Sequence, residues 1–79
     1  MTETISPLLE YLGACERLPS PGRCRAIRER AGVTQALLAE ELGVTRQAVS
    51  AWEAGRAAPH NSKHLAAYLE ALDLMEGFA

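Results

Sequence analysis

No run of 18 apolar residues occurs in this chain of 79, so nothing in it reads as a membrane-spanning helix. No basic residue precedes the first apolar stretch. Glu3 stands there instead, the reverse of a secretory leader, and a cytoplasmic location is expected. Cysteine is scarce: Cys15 and Cys24 fit neither a zinc site nor a redox pair, and Cys24, in register with Ile27 and Ala31, is expected to pack as a small core hydrophobe. His60 and His64 are four apart, a spacing that suits two ligands on a helix. No third or fourth ligand stands near them, so no metal or cofactor is expected. A Gly-rich phosphate loop is missing, and no Ser, Thr or Cys is set beside a base, so the chain is not expected to be an enzyme.

What is present points to one all-α domain over residues 1–79. A chain this short buries only about 60% of its unfolded surface and cannot divide that between two cores. Its hydrophobic content of 48% suits a globular fold. The net charge of −2 hides an uneven distribution. All eight basic residues lie between positions 17 and 63, where only Glu29, Glu40, Glu41 and Glu53 oppose them, leaving that segment at +4. The remaining acids, Glu3, Glu10, Glu16, Glu70, Asp73 and Glu76, sit in the flanks. A positive centre with acidic flanks suits a polyanionic partner on one face.

Helical punctuation is dense. Ser6-Pro7 and Ser20-Pro21 each place a capping side chain before a proline at the first helical position. The first start predicts a helix over 6–18 whose apolar face is Leu8, Leu9, Leu12 and Cys15; the second predicts one running to Ala31, stopped by Gly32. Thr34 caps a third helix that ends at Gly43, Thr45 a fourth that ends at Gly55, and Asn61 or Ser62 begins a fifth reaching about Leu74. In that last helix Leu65, Leu69 and Leu72 mark one stripe, with Tyr68 and Met75 beside it.

Residues 34–53, TQALLAEELGVTRQAVSAWE, set two short helices around a glycine turn. Helices that cross steeply need a small residue at the contact, here Ala39, and a turn residue that tolerates positive φ, here Gly43. With Val44 and Val49 filling the crevice, Arg46, Gln47, Ser50 and Ala51 are left on the outward side of the second helix.

This pattern resembles the lambda-repressor and Cro, or XRE, family of helix-turn-helix regulators across about residues 23–72. The resemblance is carried by Ile27-Arg28, Ala31-Gly32-Val33-Thr34-Gln35, Leu38-Ala39, Leu42-Gly43-Val44, Val49-Ser50, Trp52-Glu53, Gly55 and Pro59. It implies a compact bundle of about five helices, with a conserved four-helix part over 20–73, the motif at 34–54, and 6–18 as an extra N-terminal helix. It also implies a repressor-like, Cro-like protein of a bacterial or phage-infected cell that binds operator DNA as a homodimer.

On the matching positions, the resemblance makes Arg46 and Gln47 the base-reading pair, followed by Ser50 and Ala51. Arginine donates twice to guanine O6 and N7, glutamine pairs with adenine, and alanine meets only a thymine methyl. Gln35, Thr45, Arg56, Asn61 and Lys63 become contacts to the sugar-phosphate backbone, and Gln35 also a brace for the recognition helix. Arg28 and Glu53 resemble the family's internal ion pair, and Trp52 is expected in the core. Arg23, Arg25 and Arg30 read as a solvated face.

The chain departs from the family pattern at both ends: it stops soon after the fourth conserved helix and carries the extra helix in front. The dimer interface is therefore expected from Leu72, Leu74, Met75 and Phe78, with the extra helix as a second contributor. Two other readings stand beside this one. In the first, the protein is an antitoxin that regulates its own operator and binds a toxin through a terminal extension. In the second, it is a protein-interaction module that has lost DNA binding.

Overall fold

The computed structural model describes residues 6–78; Glu3 and the acidic segment 1–4 lie outside the described residues. Five helices follow one another: α1 (Pro7–Arg17), α2 (Pro21–Arg30), α3 (Gln35–Leu42), α4 (Arg46–Glu53) and α5 (Ser62–Phe78). The described residues contain no strand.

Each helix starts where a short polar side chain satisfies an otherwise unpaired backbone N–H. Ser6 Oγ accepts from Leu9 N at 3.1 Å and Ser20 Oγ from Arg23 N at 3.3 Å. Thr34 and Thr45 Oγ1 accept from Leu37 N and Ala48 N at 3.0 and 3.1 Å. Asn61 Oδ1 accepts from His64 N at 2.7 Å, which makes Asn61 the start of α5. Caps of this kind contribute about 1 kcal/mol each.

The core gathers Cys24 and Ile27 of α2, Leu38, Ala39 and Leu42 of α3, Val49 and Trp52 of α4, and Tyr68, Leu72 and Met75 of α5. The Trp52 and Tyr68 rings, 5.0 Å apart and tilted by 41°, pack α4 onto α5. Cys15 and Cys24 form no disulfide, Cys24 being buried and Cys15 half-buried.

Three expectations are corrected. First, α5 runs to Phe78, four residues beyond Leu74, because nothing between Leu74 and Gly77 interrupts a helix. Its buried stripe is Leu65, Tyr68, Leu72 and Met75, at spacings of three and four, so Tyr68 and Met75 belong to the core and Leu69 to its margin. Second, the stripe removes two residues from the expected dimer interface. Leu72 and Met75 are 3% and 7% exposed within the single chain, whereas Leu74 and Phe78, on the other side of the helix, are 61% and 84% exposed.

Third, α1 is turned differently from its leucine pattern. Ala14 is buried and Tyr11 half-buried as α1 lies along α5, while Leu8, Leu9 and Leu12 remain 48–64% exposed. The Tyr11 hydroxyl donates to the Pro59 carbonyl at 2.7 Å, and this bond fixes the rotation of the helix. A small residue at the contact and one aimed hydroxyl set the docking, and the leucines are left outside.

Candidate nucleic-acid interface

The geometry of the site begins at the turn between α3 and α4. Gly43 adopts φ 72°, ψ 32°, where a Cβ is disfavoured. Its N–H and that of Val44 donate back to the Glu40 and Ala39 carbonyls at 3.2 and 3.0 Å, ending α3 in a single residue. Ala39 and Val49 are buried where the two helices meet, and Val44 is half-buried in the turn. These contacts fix the rotation of α4. Val49, Trp52 and Glu53 face inward, Arg46 and Gln47 are exposed, and Ser50 and Ala51 are half-buried.

Behind the exposed end of α4 lies a connected set of polar groups. Arg28 of α2 grips Glu53 with two N–H groups, Nε to Oε2 at 2.6 Å and Nη2 to Oε1 at 3.0 Å, and both side chains are buried. Its remaining arm, Nη1, donates to the Val33 carbonyl at 2.7 Å. The Glu53 carboxylate raises the Arg28 pKa above its ordinary value through these hydrogen bonds, against the opposing effect of burial, so the guanidinium stays charged. Gln35, the first residue of α3, donates from Nε2 to Glu53 Oε1 at 3.0 Å. Arg46, the first residue of α4, donates from Nη1 to Gln35 Oε1 at 3.4 Å.

The structure thus brings Gln35, Thr45, Arg46 and Gln47 to the adjoining starts of α3 and α4. Thr45 is exposed but its oxygen is engaged as a cap. Arg56 is exposed just beyond the end of α4. Asn61 is occupied in capping α5, its Nδ2 lying 3.2 Å from His64 Nδ1. Lys63 lines a groove between α1 and α5 with Leu9, Glu10 and Ala66. Arg23 and Arg25 are engaged in surface ion pairs, with Glu76 at 2.6 Å and Glu29 at 2.9 Å. Among the described residues, no group of three His, Cys, Asp or Glu side chains is placed to hold a metal ion, and no helix is long and apolar enough to cross a membrane.

Sequence reasoning missed the Val33 carbonyl, which takes the third arm of Arg28, and, having expected Gln35 to brace a partner in the recognition helix, did not name that partner as Glu53. A donor and acceptor inventory supplies the missing signal. A guanidinium has five N–H donors and a carboxylate up to four acceptor sites, so a buried pair of the two seeks further partners.

Two short helices in contact across a glycine turn, the second anchored on one side and polar at its exposed N-terminal end, define a helix-turn-helix protein. The helix-turn-helix family model matches residues 25–74, more than half of the chain. The protein belongs to the lambda-repressor and Cro, or XRE-type, helix-turn-helix family of DNA-binding regulators. Searches of curated proteins and of solved structures return no match. Helix α1 lies outside the matched span.

Proposed function

We propose that the protein represses transcription by binding a pseudo-palindromic operator as a homodimer, with the N-terminal end of α4 in the major groove. The observation that carries this reading is the division of α4. Its Val49, Trp52 and Glu53 are locked into the fold while Arg46 and Gln47, the two residues best suited to guanine and adenine edges, are presented to solvent. Ser50 adds a donor and acceptor one turn later, and Ala51 offers a methyl to thymine. Gln35, Thr45, Arg56, Asn61 and Lys63 serve the sugar-phosphate backbone. The Thr45 oxygen caps α4, yet its hydroxyl proton remains able to donate to a phosphate.

Dimerisation is supported by apolar side chains that the single chain leaves outside: Leu74 and Phe78 at the end of α5, and Leu37 of α3, which lines one groove with Leu74. Selection from randomised DNA duplexes tests the whole reading. It is expected to return a two-fold symmetric sequence with half-sites about 34–36 Å apart, and light scattering without DNA is expected to give the dimer mass. A single asymmetric site and a monomer mass would refute the homodimer.

The three exposed leucines of α1 favour a second reading, in which this helix binds a protein such as a toxin and DNA binding serves autoregulation. A stoichiometric partner that co-purifies with the native protein and is lost with Leu8→Ser and Leu12→Ser would establish it.

A further inference from the structure

We infer that Glu53 is a positioning residue for DNA readout: through the Gln35 amide it holds Arg46 in the orientation from which a guanine is read. The inference rests on the proposed role of α4 and adds to it a determinant of specificity inside the protein.

Hydrogen-bond polarity fixes the order of the three side chains. Glu53 is an acceptor-only group, anchored by two N–H groups of Arg28 whose third arm is fixed on the Val33 carbonyl. Arg46 is a donor-only group. Between them lies Gln35, whose amide has one donating and one accepting end. With Nε2 on Glu53 at 3.0 Å, Oε1 faces Arg46 Nη1 at 3.4 Å. The opposite orientation sets oxygen against carboxylate on one side and N–H against N–H on the other. Only one orientation satisfies every group, and a buried carboxylate enforces it from behind, where no nucleic acid reaches.

Two consequences follow. The Arg46 guanidinium is held at one N–H before DNA arrives, so less side-chain freedom is lost when its other donors meet O6 and N7 of a guanine. In addition, the ion pair that joins α2 to α4 and the base preference of α4 are linked, so changes at 53 alter specificity without touching DNA.

The test is selection from randomised DNA duplexes with the full chain, comparing wild type, Arg46→Ala, Gln35→Met, Glu53→Gln and the Gln35→Met/Glu53→Gln double variant. Arg46→Ala identifies the guanine that Arg46 reads. Preference for that guanine is expected to fall about fivefold to tenfold in Gln35→Met and in Glu53→Gln, part of the discrimination such a pair supplies. The double variant is expected to fall no further than either single one, and the base read by Gln47 to keep its preference. Wild-type preference for the guanine in folded Glu53→Gln, or an equal loss at every base position, would overturn the inference.

If Glu53→Gln does not fold, Glu53→Asp, which keeps the charge but draws the carboxylate back from Gln35, takes its place with the same expected loss; an unchanged guanine preference in it, or in Gln35→Met at the half-buried Gln35, is equally fatal. If wild type enriches no sequence, the DNA-reading proposal fails and this inference fails with it. An unaffected wild-type operator together with an unaltered Glu53→Gln preference sinks the positioning role alone. Side-chain amide protons give a readout without DNA. Those of Gln35 are expected to exchange more slowly than those of exposed Gln47 in wild type and to lose that protection in Glu53→Gln. Equal exchange in wild type would contradict the lock.

Discussion

The junction of α2, α3 and α4 and the docking of α1 on α5 are built in opposite ways. At the junction a buried arginine and glutamate satisfy each other, a backbone carbonyl and a glutamine, and every connection is a polar contact of 2.6–3.4 Å. On α1 one hydroxyl-to-carbonyl bond and a small buried alanine secure the helix, and three leucines remain in water. Directional bonds among buried groups fix side-chain positions to a fraction of an ångström, which base recognition needs. Apolar packing through a small contact tolerates adjustment, and exposed leucines gain from being covered. The difference separates a part of the molecule organised to hold exposed side chains still from a part whose outer face is apolar and uncovered in the single chain.

The largest test of that contrast is removal of one ion-pair partner. Arg28→Ala or Glu53→Ala leaves a buried charge uncompensated and is expected to lower stability by about 3–5 kcal/mol in denaturant unfolding. The double variant is expected to cost less than the two single losses together.

Next comes the Tyr68 hydroxyl, which is buried without a hydrogen-bond partner. The neighbouring Cys24 thiol donates to the Pro19 carbonyl at 3.5 Å instead. Tyr68→Phe is therefore expected to match wild type at neutral pH or to exceed it by about 1 kcal/mol. Burial raises the pKa of both Cys24 and Tyr68. In the unfolded chain these groups ionise near about 8.5 and 10. Above those values the unfolded state loses protons that the native state keeps, so stability falls as pH rises. Thermal unfolding should show this decline in wild type, and Tyr68→Phe should lose the part above about pH 10.

Tyr11→Phe removes the bond to Pro59 and is expected to cost about 1 kcal/mol, with DNA affinity unchanged. A large loss of affinity would make α1 part of the reading surface and erase the contrast. The smallest effect is expected from Leu8→Ser and Leu12→Ser, within about 0.5 kcal/mol of wild-type stability for exposed positions. A much larger loss in the isolated chain would show that these leucines support its own fold.

The sequence carried the helices that have loud ends. Ser6, Ser20, Thr34 and Thr45 cap α1 to α4 as read, because capping is a local bond between a side chain and an N–H three residues on. Gly43 was legible for the same local reason, its positive φ. The rotation of α1 was not, since Leu8, Leu9 and Leu12 form an apolar face that a hydroxyl 48 residues from its acceptor overrides. Nor was the inward turn of Met75, which needs the course of α5 past Leu74. At the candidate site, the family resemblance marked Arg28 with Glu53 as an ion pair and Gln35 separately as a brace for an unnamed partner in the recognition helix. Their union depends on the distance between α3 and the end of α4, a tertiary fact that no local pattern encodes.

The most direct measurement of the central claim is binding of the protein to DNA from its own upstream region at two salt concentrations, beside Arg46→Ala and Gln47→Ala. The account predicts that this DNA outcompetes bulk DNA, that affinity drops steeply with salt as phosphate counterions are released, and that either substitution relaxes the discrimination. Binding that bulk DNA displaces equally well, unaltered by either substitution, would contradict it.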